Sequence, residues 1–175
     1  LVIHPHELDL DAIRTAKLFW VTGTGLSQEP SRSATLAALE ARAGAGPTVF
    51  DLDYRPMFWG SRAEAREQYA RALPSATVAV GNLDEWETAV GTRDPEAAAA
   101  AAHERGVELA VVKQGPKGVL AVHRDGTTAE AAARRVRRQI GRASGGERGW
   151  WCGGGRGAAG GVGARSGAGG GGGGG

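Results

Sequence analysis

Apolar residues occupy the first 130 positions in short bursts, separated by longer polar stretches of helix-forming composition. "AKLFWVTG" (16–23) is rich in strand formers and is stopped by Gly23, the pattern of a buried parallel strand. "TVFDLD" (48–53) and "ATVAVGN" (76–82) repeat it. Two further strands are predicted at 108–112 and 119–123, joined through "KQGPKG". Helices are expected between the bursts. Residues 30–44 carry Pro30 near the start, Leu36 and Leu39 on one face, and Gly44 past the end. In 61–73, Ser61 is a plausible N-cap ahead of an Ala/Tyr/Leu stripe, and 84–91 is a shorter helical piece. Over 94–106, Asp94 stands at the N-cap, Pro95 in the first turn and Gly106 at the stop. Strands separated by helices pair in parallel, while the last two, joined by a short turn, pair antiparallel. The fold class is therefore α/β, a mostly parallel sheet flanked by helices. Trp20, Trp59 and Trp86 are expected to pack in the interior, with Trp59 close enough to Arg55 to line a pocket.

After Glu130 this pattern fails. Residues 131–175 hold most of the 30 glycines and show no strand or helix period, although 134–138 has the composition to extend a helix locally. Such a segment cannot bury enough apolar surface to offset the entropy of ordering it, so disorder is expected. The charge divides at the same place: 13 basic against 18 acidic residues up to Glu130, then 8 arginines against one glutamate. The sequence pI near 9.0 thus reflects the tail, and the body offers no nucleic-acid surface. The tail's Gly, Ala and Arg are the residues of GC-only codons, which is the composition expected of a GC-rich gene read out of frame. Its one competing reading is an RNA-binding segment, with arginines for phosphate and Trp150 and Trp151 for base stacking.

Cys152 is the only cysteine, which excludes a disulfide framework or a Cys-rich metal site. The amino terminus has no basic segment followed by an apolar one, and no apolar run reaches membrane-spanning length. A soluble, cytoplasmic protein is expected. The first residue is Leu, which suggests that the original start lies upstream.

"TVFDLDYRPMFWG" (48–60) carries the most chemistry. Its Asp-x-Asp resembles the nucleophile strand of a haloacid-dehalogenase-type phosphatase. The residues after it, Tyr54, Arg55 and Pro56, are not the small ones such a strand requires beside phosphate, and no Asp follows Asp125 to complete a magnesium site. The alternative gathers four places. Arg55, on the loop after a strand, suits an anionic or polyhydroxylated substrate. Asn82 and Glu85 lie three apart where a strand gives way to a helix, so that a carboxylate can act on Mg²⁺ or its waters. Gly115 and Gly118 form a tight turn whose backbone N–H groups can approach phosphate oxygens. "VTGTGLS" breaks the first strand at its carboxyl end, where α/β sheets bind ligands. Each also has a plain structural role open to it: Asp51 and Asp53 as strand-end residues, the glycines as a hairpin, Asn82 as a helix cap. His4, His6, His103 and His123 are scattered and carry no assignment.

Taken in order, "FWVTGTGLSQEPSRSATLAALEAR", "VFDLDYRPMFW", "VAVGNLDEWETAVG" and "LAVVKQGPKGVLAVHRDG" resemble the middle portion of ribokinase-like (PfkB-type) carbohydrate kinases. The resemblance extends over nearly all of 1–130, making that span a partial kinase domain and 131–175 a separate low-complexity tail. It implies MgATP-dependent phosphoryl transfer to a sugar hydroxyl, with ATP and Mg²⁺ as cofactors, and leaves a family-like homo-oligomer open. The branch it is most similar to acts on 5-dehydro-2-deoxy-D-gluconate in inositol catabolism; a 2-keto-3-deoxygluconate kinase is the nearest alternative. It further implies that Arg55 holds substrate, that Asn82 and Glu85 serve Mg²⁺ and phosphate, with Glu85 reaching the metal through water, and that Lys113, Gly115 and Gly118 lie on the nucleotide side. Lys113 stands where many members have Thr. The family's catalytic base is the Asp of a Gly-Ala-Gly-Asp motif, expected soon after residue 130. That motif is absent, so this chain is expected to be an inactive part of a kinase.

Overall fold

Six strands run side by side in sequence order in the computed structural model, which describes residues 2–133. They are β1 (Phe19–Thr22), β2 (Thr48–Asp51), β3 (Val78–Asn82), β4 (Leu109–Lys113), β5 (Val119–His123) and β6 (Thr128–Ala131). β1 to β4 pair in parallel, and β4, β5 and β6 pair antiparallel, as the lengths of their connections require. The helices are α1 (Leu10–Thr15), α2 (Ser31–Arg42), α3 (Arg62–Ala72), α4 (Leu83–Val90) and α5 (Pro95–His103).

Local chemistry sets most of the boundaries. Ser61 and Asp94 cap α3 and α5 by accepting from the backbone N–H three residues on, at 3.0 and 2.8 Å. Gly91, with φ +92°, closes α4 in the left-handed conformation that a Cβ disfavours. The inward stripe of α5 is alanine only (Ala98, Ala99, Ala102), which lets the helix lie close to β4. Phe50, Leu52, Tyr69, Leu73, Trp86, Val107 and Val112 fill the core. Phe50, Tyr69 and Trp59 meet edge to face, with ring centroids 5.5 and 5.7 Å apart. Trp86 spans from α4 to β4 and donates its Nε1–H to the Val111 carbonyl at 3.2 Å.

Three features depart from the sequence reading. Trp20 is 54 % exposed rather than packed: β1 has only β2 as a neighbour among the described residues, and strand alternation turns Val21 inward instead. α1 was not anticipated, because six residues carry too little periodicity to read; Asp9 caps it by accepting from Ala12 N at 2.9 Å. β6 was also missed and carries the sheet one residue beyond position 130. All four of its residues are exposed, so no hydrophobic alternation marks it, and it exists through pairing with β5. The Asp125-Gly126 turn was the available signal: Asp125 accepts from Thr127 N at 2.8 Å and Gly126 has φ +92°. The expectations for the tail fall on residues outside the described ones, apart from the first few. No helix among the described residues is long and apolar enough to cross a membrane.

Candidate active site at the carboxyl ends of the strands

A parallel sheet brings the carboxyl ends of its strands to one side, and here that side gathers charge. Asp51 ends β2, Lys113 ends β4, and between them β3 passes directly into α4. The junction is a reciprocal cap. Asn82 Oδ1 accepts from Glu85 N at 2.9 Å, and Glu85 Oε2 accepts from Asn82 N at 2.7 Å. The structural role open to Asn82 is thus real, and the same bonds fix the carboxylate of Glu85 at the strand end.

Lys113 Nζ stands 3.8 Å from Asp51 Oδ1 and 3.8 Å from Glu85 Oε2. At that separation the ammonium attracts both carboxylates without a direct hydrogen bond to either. Glu85 is 8 % exposed. Burial raises its pKa against the opposing pull of the Asn82 N–H and Lys113, and burial likewise raises that of Asp51 against Lys113.

Asp53 lies beyond the end of β2 with φ +33°, the only positive φ at a non-glycine residue described. Thr24, in the turn after β1, donates its hydroxyl to Asp53 Oδ2 at 2.6 Å, with the Asp53 carbonyl at 3.0 Å. Arg55 donates Nε–H to Asp53 Oδ1 at 2.8 Å. Its two Nη groups have no partner among the described residues, and its side chain is 60 % exposed. Beneath this loop, the Tyr69 hydroxyl donates to the Leu52 carbonyl at 2.6 Å, and Gly23 packs so closely that a Cβ would run into that same carbonyl oxygen. Burial raises the Tyr69 phenol pKa far above its usual range, keeping it a neutral donor.

The turn after β4 is more self-contained than its glycines suggested. Gly115 and Gly118 have φ +60° and +103°. The N–H groups of Gln114, Lys117 and Gly118 are taken within the turn, and Pro116 has none, so among the described residues Gly115 keeps the one backbone donor there without a partner. Trp59 is buried against Tyr69, with its Nε1–H unpartnered. The histidines stand apart from these strand ends: His123 pairs with Asp125 at 2.9 Å in the hairpin, and His103 Nδ1 meets the Val107 carbonyl at 3.0 Å. Reading the sequence picked out the turn that holds Thr24 without assigning the threonine a part, and left Asp51 and Asp53 as scaffold. The order of strand ends in a parallel sheet was the signal, since it places 24, 51, 53, 85 and 113 on one side.

The profile of the pfkB family carbohydrate kinases matches residues 2–137, which include every residue of this cluster. This chain belongs to that family. Among curated relatives, the 5-dehydro-2-deoxygluconokinases of Shouchella clausii and Geobacillus kaustophilus are each 35 % identical over 134 and 133 residues, covering 75 % and 73 % of this chain. The match takes in 41 % and 40 % of their own lengths, so the chain spans about two fifths of those relatives. Among solved structures, a PfkB protein from Polaromonas sp. JS666 aligns with a TM-score of 0.69 at 20 % identity, covering 77 % of this chain and 46 % of that one. Aminoimidazole riboside kinase from Salmonella enterica, complexed with aminoimidazole riboside and an ATP analog, aligns at 0.66 with 25 % identity, covering 77 % and 44 %. The six-stranded sheet is therefore that of a pfkB carbohydrate kinase, and it places Arg55, Asn82, Glu85 and Lys113 on one side.

Proposed function

We propose that this chain is part of an ATP-dependent sugar-acid kinase whose substrate is 5-dehydro-2-deoxy-D-gluconate. The observation that carries this reading is the convergence of Arg55, Glu85, Lys113 and Asp51 at the strand ends of a pfkB-family sheet, in a chain 35 % identical to 5-dehydro-2-deoxygluconokinases. Arg55, with both Nη groups without a partner among the described residues, suits the carboxylate or hydroxyls of a sugar acid. Lys113 and the Gly115 N–H serve the nucleotide phosphates.

The residues that fit Mg²⁺ are Glu85 and Asp51, both hard oxygen donors. Glu85 commits only Oε2 to its cap, so Oε1 remains for the metal or its waters. Among the described residues no group of three or more such ligands gathers, which suits an ion that keeps several waters and the phosphates as ligands. Bound there, Mg²⁺ would neutralise charge on the transferring phosphoryl group. The sequence holds no Asp after Asp125 and no Gly-Ala-Gly-Asp motif, so the 175-residue chain lacks the residue expected to take the hydroxyl proton.

A coupled ADP-release assay across sugars and sugar acids tests both parts. A protein of the relatives' full length containing this segment is expected to turn over on 5-dehydro-2-deoxy-D-gluconate, and the 175-residue chain is expected to show none. Activity confined to fructose or nucleosides would move the substrate elsewhere in the family. Sugar-dependent ATP consumption by the chain itself would overturn the inactive reading.

A further inference from the structure

We propose that Thr24 and Asp53 form a positioning pair that aims the Arg55 guanidinium at the substrate. The proposal rests on the reading of Arg55 as the substrate-holding residue and deepens it. A residue bearing a Cβ adopts φ +33° only where its surroundings hold it there, and such strain collects at functional sites. Here the hold is specific. Each carboxylate oxygen of Asp53 has one partner: Oδ2 the Thr24 hydroxyl at 2.6 Å, Oδ1 the Arg55 Nε–H at 2.8 Å.

An exposed ion pair two residues apart on one loop ordinarily fixes little, since both partners move together. Thr24 changes that. It belongs to the turn after β1, 29 positions away in the chain, and so ties the carboxylate to the body of the sheet. The loop is pinned on both sides as well. Tyr54 packs against the core with the Arg62 guanidinium 5.6 Å from its ring centre, and Phe58 N–H donates to the Arg55 carbonyl at 3.0 Å across the Pro56–Phe58 turn. With the backbone fixed, the arginine side chain is the remaining freedom, and Asp53 removes it through Nε while leaving both Nη groups to a ligand. A guanidinium ordered in advance binds a carboxylate or a pair of hydroxyls without the entropic cost of ordering it then.

The test is ¹⁵N relaxation of arginine Nε–H groups in the 175-residue chain, with Arg124 as the unrestrained reference. Arg55 is expected to be nearly as ordered as the surrounding backbone and clearly more ordered than Arg124. Thr24→Val should lower its order to the level of Arg124, and Thr24→Ser, which restores the hydroxyl, should keep it. Should Thr24→Val fail to fold, Asp53→Asn serves in its place: Asn tolerates left-handed φ but offers Nε no charge, and the order of Arg55 should again fall. An Arg55 no more ordered than Arg124 in the unaltered chain, or unchanged in the valine and asparagine variants, overturns the proposal. The substrate role fails separately. If Arg55→Ala in the full-length kinase leaves KM for the sugar acid unaltered, that reading falls even where the relaxation data uphold the clamp.

Discussion

Arg42 and Lys113 are two cations at opposite ends of one sheet, and they are held in opposite ways. Arg42, 1 % exposed, closes the end of α2 beside the amino ends of β1 and β2. It donates Nη1 to the Ile13 and Arg14 carbonyls at 3.0 and 2.8 Å, and Nη2 to the Pro47 carbonyl at 3.4 Å. Two of these acceptors lie in the last turn of α1, whose carbonyls have no helical partner and favour a cation. No carboxylate among the described residues takes part. Lys113, by contrast, faces two carboxylates at 3.8 Å and bonds directly to neither. The first arrangement binds two helices and a loop into one piece. The second keeps three charges close to one another and still open to a fourth group. A buried guanidinium held by backbone carbonyls through its Nη groups, with Nε left without a partner, is a structural device, and a loosely balanced charge cluster at the strand ends suits the phosphate and metal of the proposed kinase reading.

Replacing Arg42 gives the largest expected effect. Arg42→Met keeps much of the apolar stem but strands three carbonyls, and it should cost about 3 kcal/mol in stability. For a domain of this size that is a fall in Tm on the order of 10 °C. Because the lost partners do not titrate, the deficit should be the same at acidic and neutral pH, as urea melts of the two chains at several pH values would show. A deficit that shrinks on acidification would mean that Arg42 answers to carboxylates after all, and the contrast between the two ends would disappear.

Lys113→Met should behave differently. At neutral pH it leaves Asp51 and Glu85 as two neighbouring anions without their cation, and the loss should be about 1 kcal/mol, since both groups remain partly hydrated. Removing the lysine raises both carboxyl pKa values further, so the folded variant binds more protons than its unfolded chain. Its stability therefore recovers as the pH falls through the raised values. The gap between variant and parent should be widest near neutrality and narrow towards the ordinary carboxylate range at about pH 4. A constant gap would show that Lys113 acts through packing rather than charge.

The two ends also differ in how legible they were. The parallel run of β1 to β4, though not their order in the sheet, the antiparallel turn to β5 and four of the five helices follow from period and punctuation, because burial and capping leave a local mark in sequence. Arg42 leaves none: an arginine in the last turn of an amphipathic helix is ordinary, and its partners at 13, 14 and 47 are set by packing. At the other end, Arg55, Asn82, Glu85 and Lys113 stood out through the resemblance to carbohydrate kinases, whereas Thr24 did not, since a threonine in a glycine-containing turn has many uses. What was not legible is the pairing. That Asp51 shares a lysine with Glu85, and that Asp53 stands between Thr24 and Arg55, depends on neighbouring strands ending level with one another.

The smallest effect, and the finest test of the contrast, belongs to Glu85→Gln. A glutamine at the third position of a helix can make the same reciprocal cap as a glutamate, so the bond to Asn82 N should survive. What the substitution removes is the charge. Burial raises the Glu85 pKa, so between the ordinary glutamate value and the raised one the folded protein binds more protons than the unfolded chain, and stability declines as pH rises through that window. The glutamine variant lacks this decline. Its stability should be flatter across weakly acidic pH and lie within about 1 kcal/mol of the parent at neutrality. Isothermal titration with Mn²⁺ should meanwhile show weaker binding than in the parent, because a neutral amide is a poorer ligand for a hard cation. A loss of several kcal/mol would place Glu85 with Arg42, as a residue that holds the fold, and would leave Asp51 alone to serve the metal.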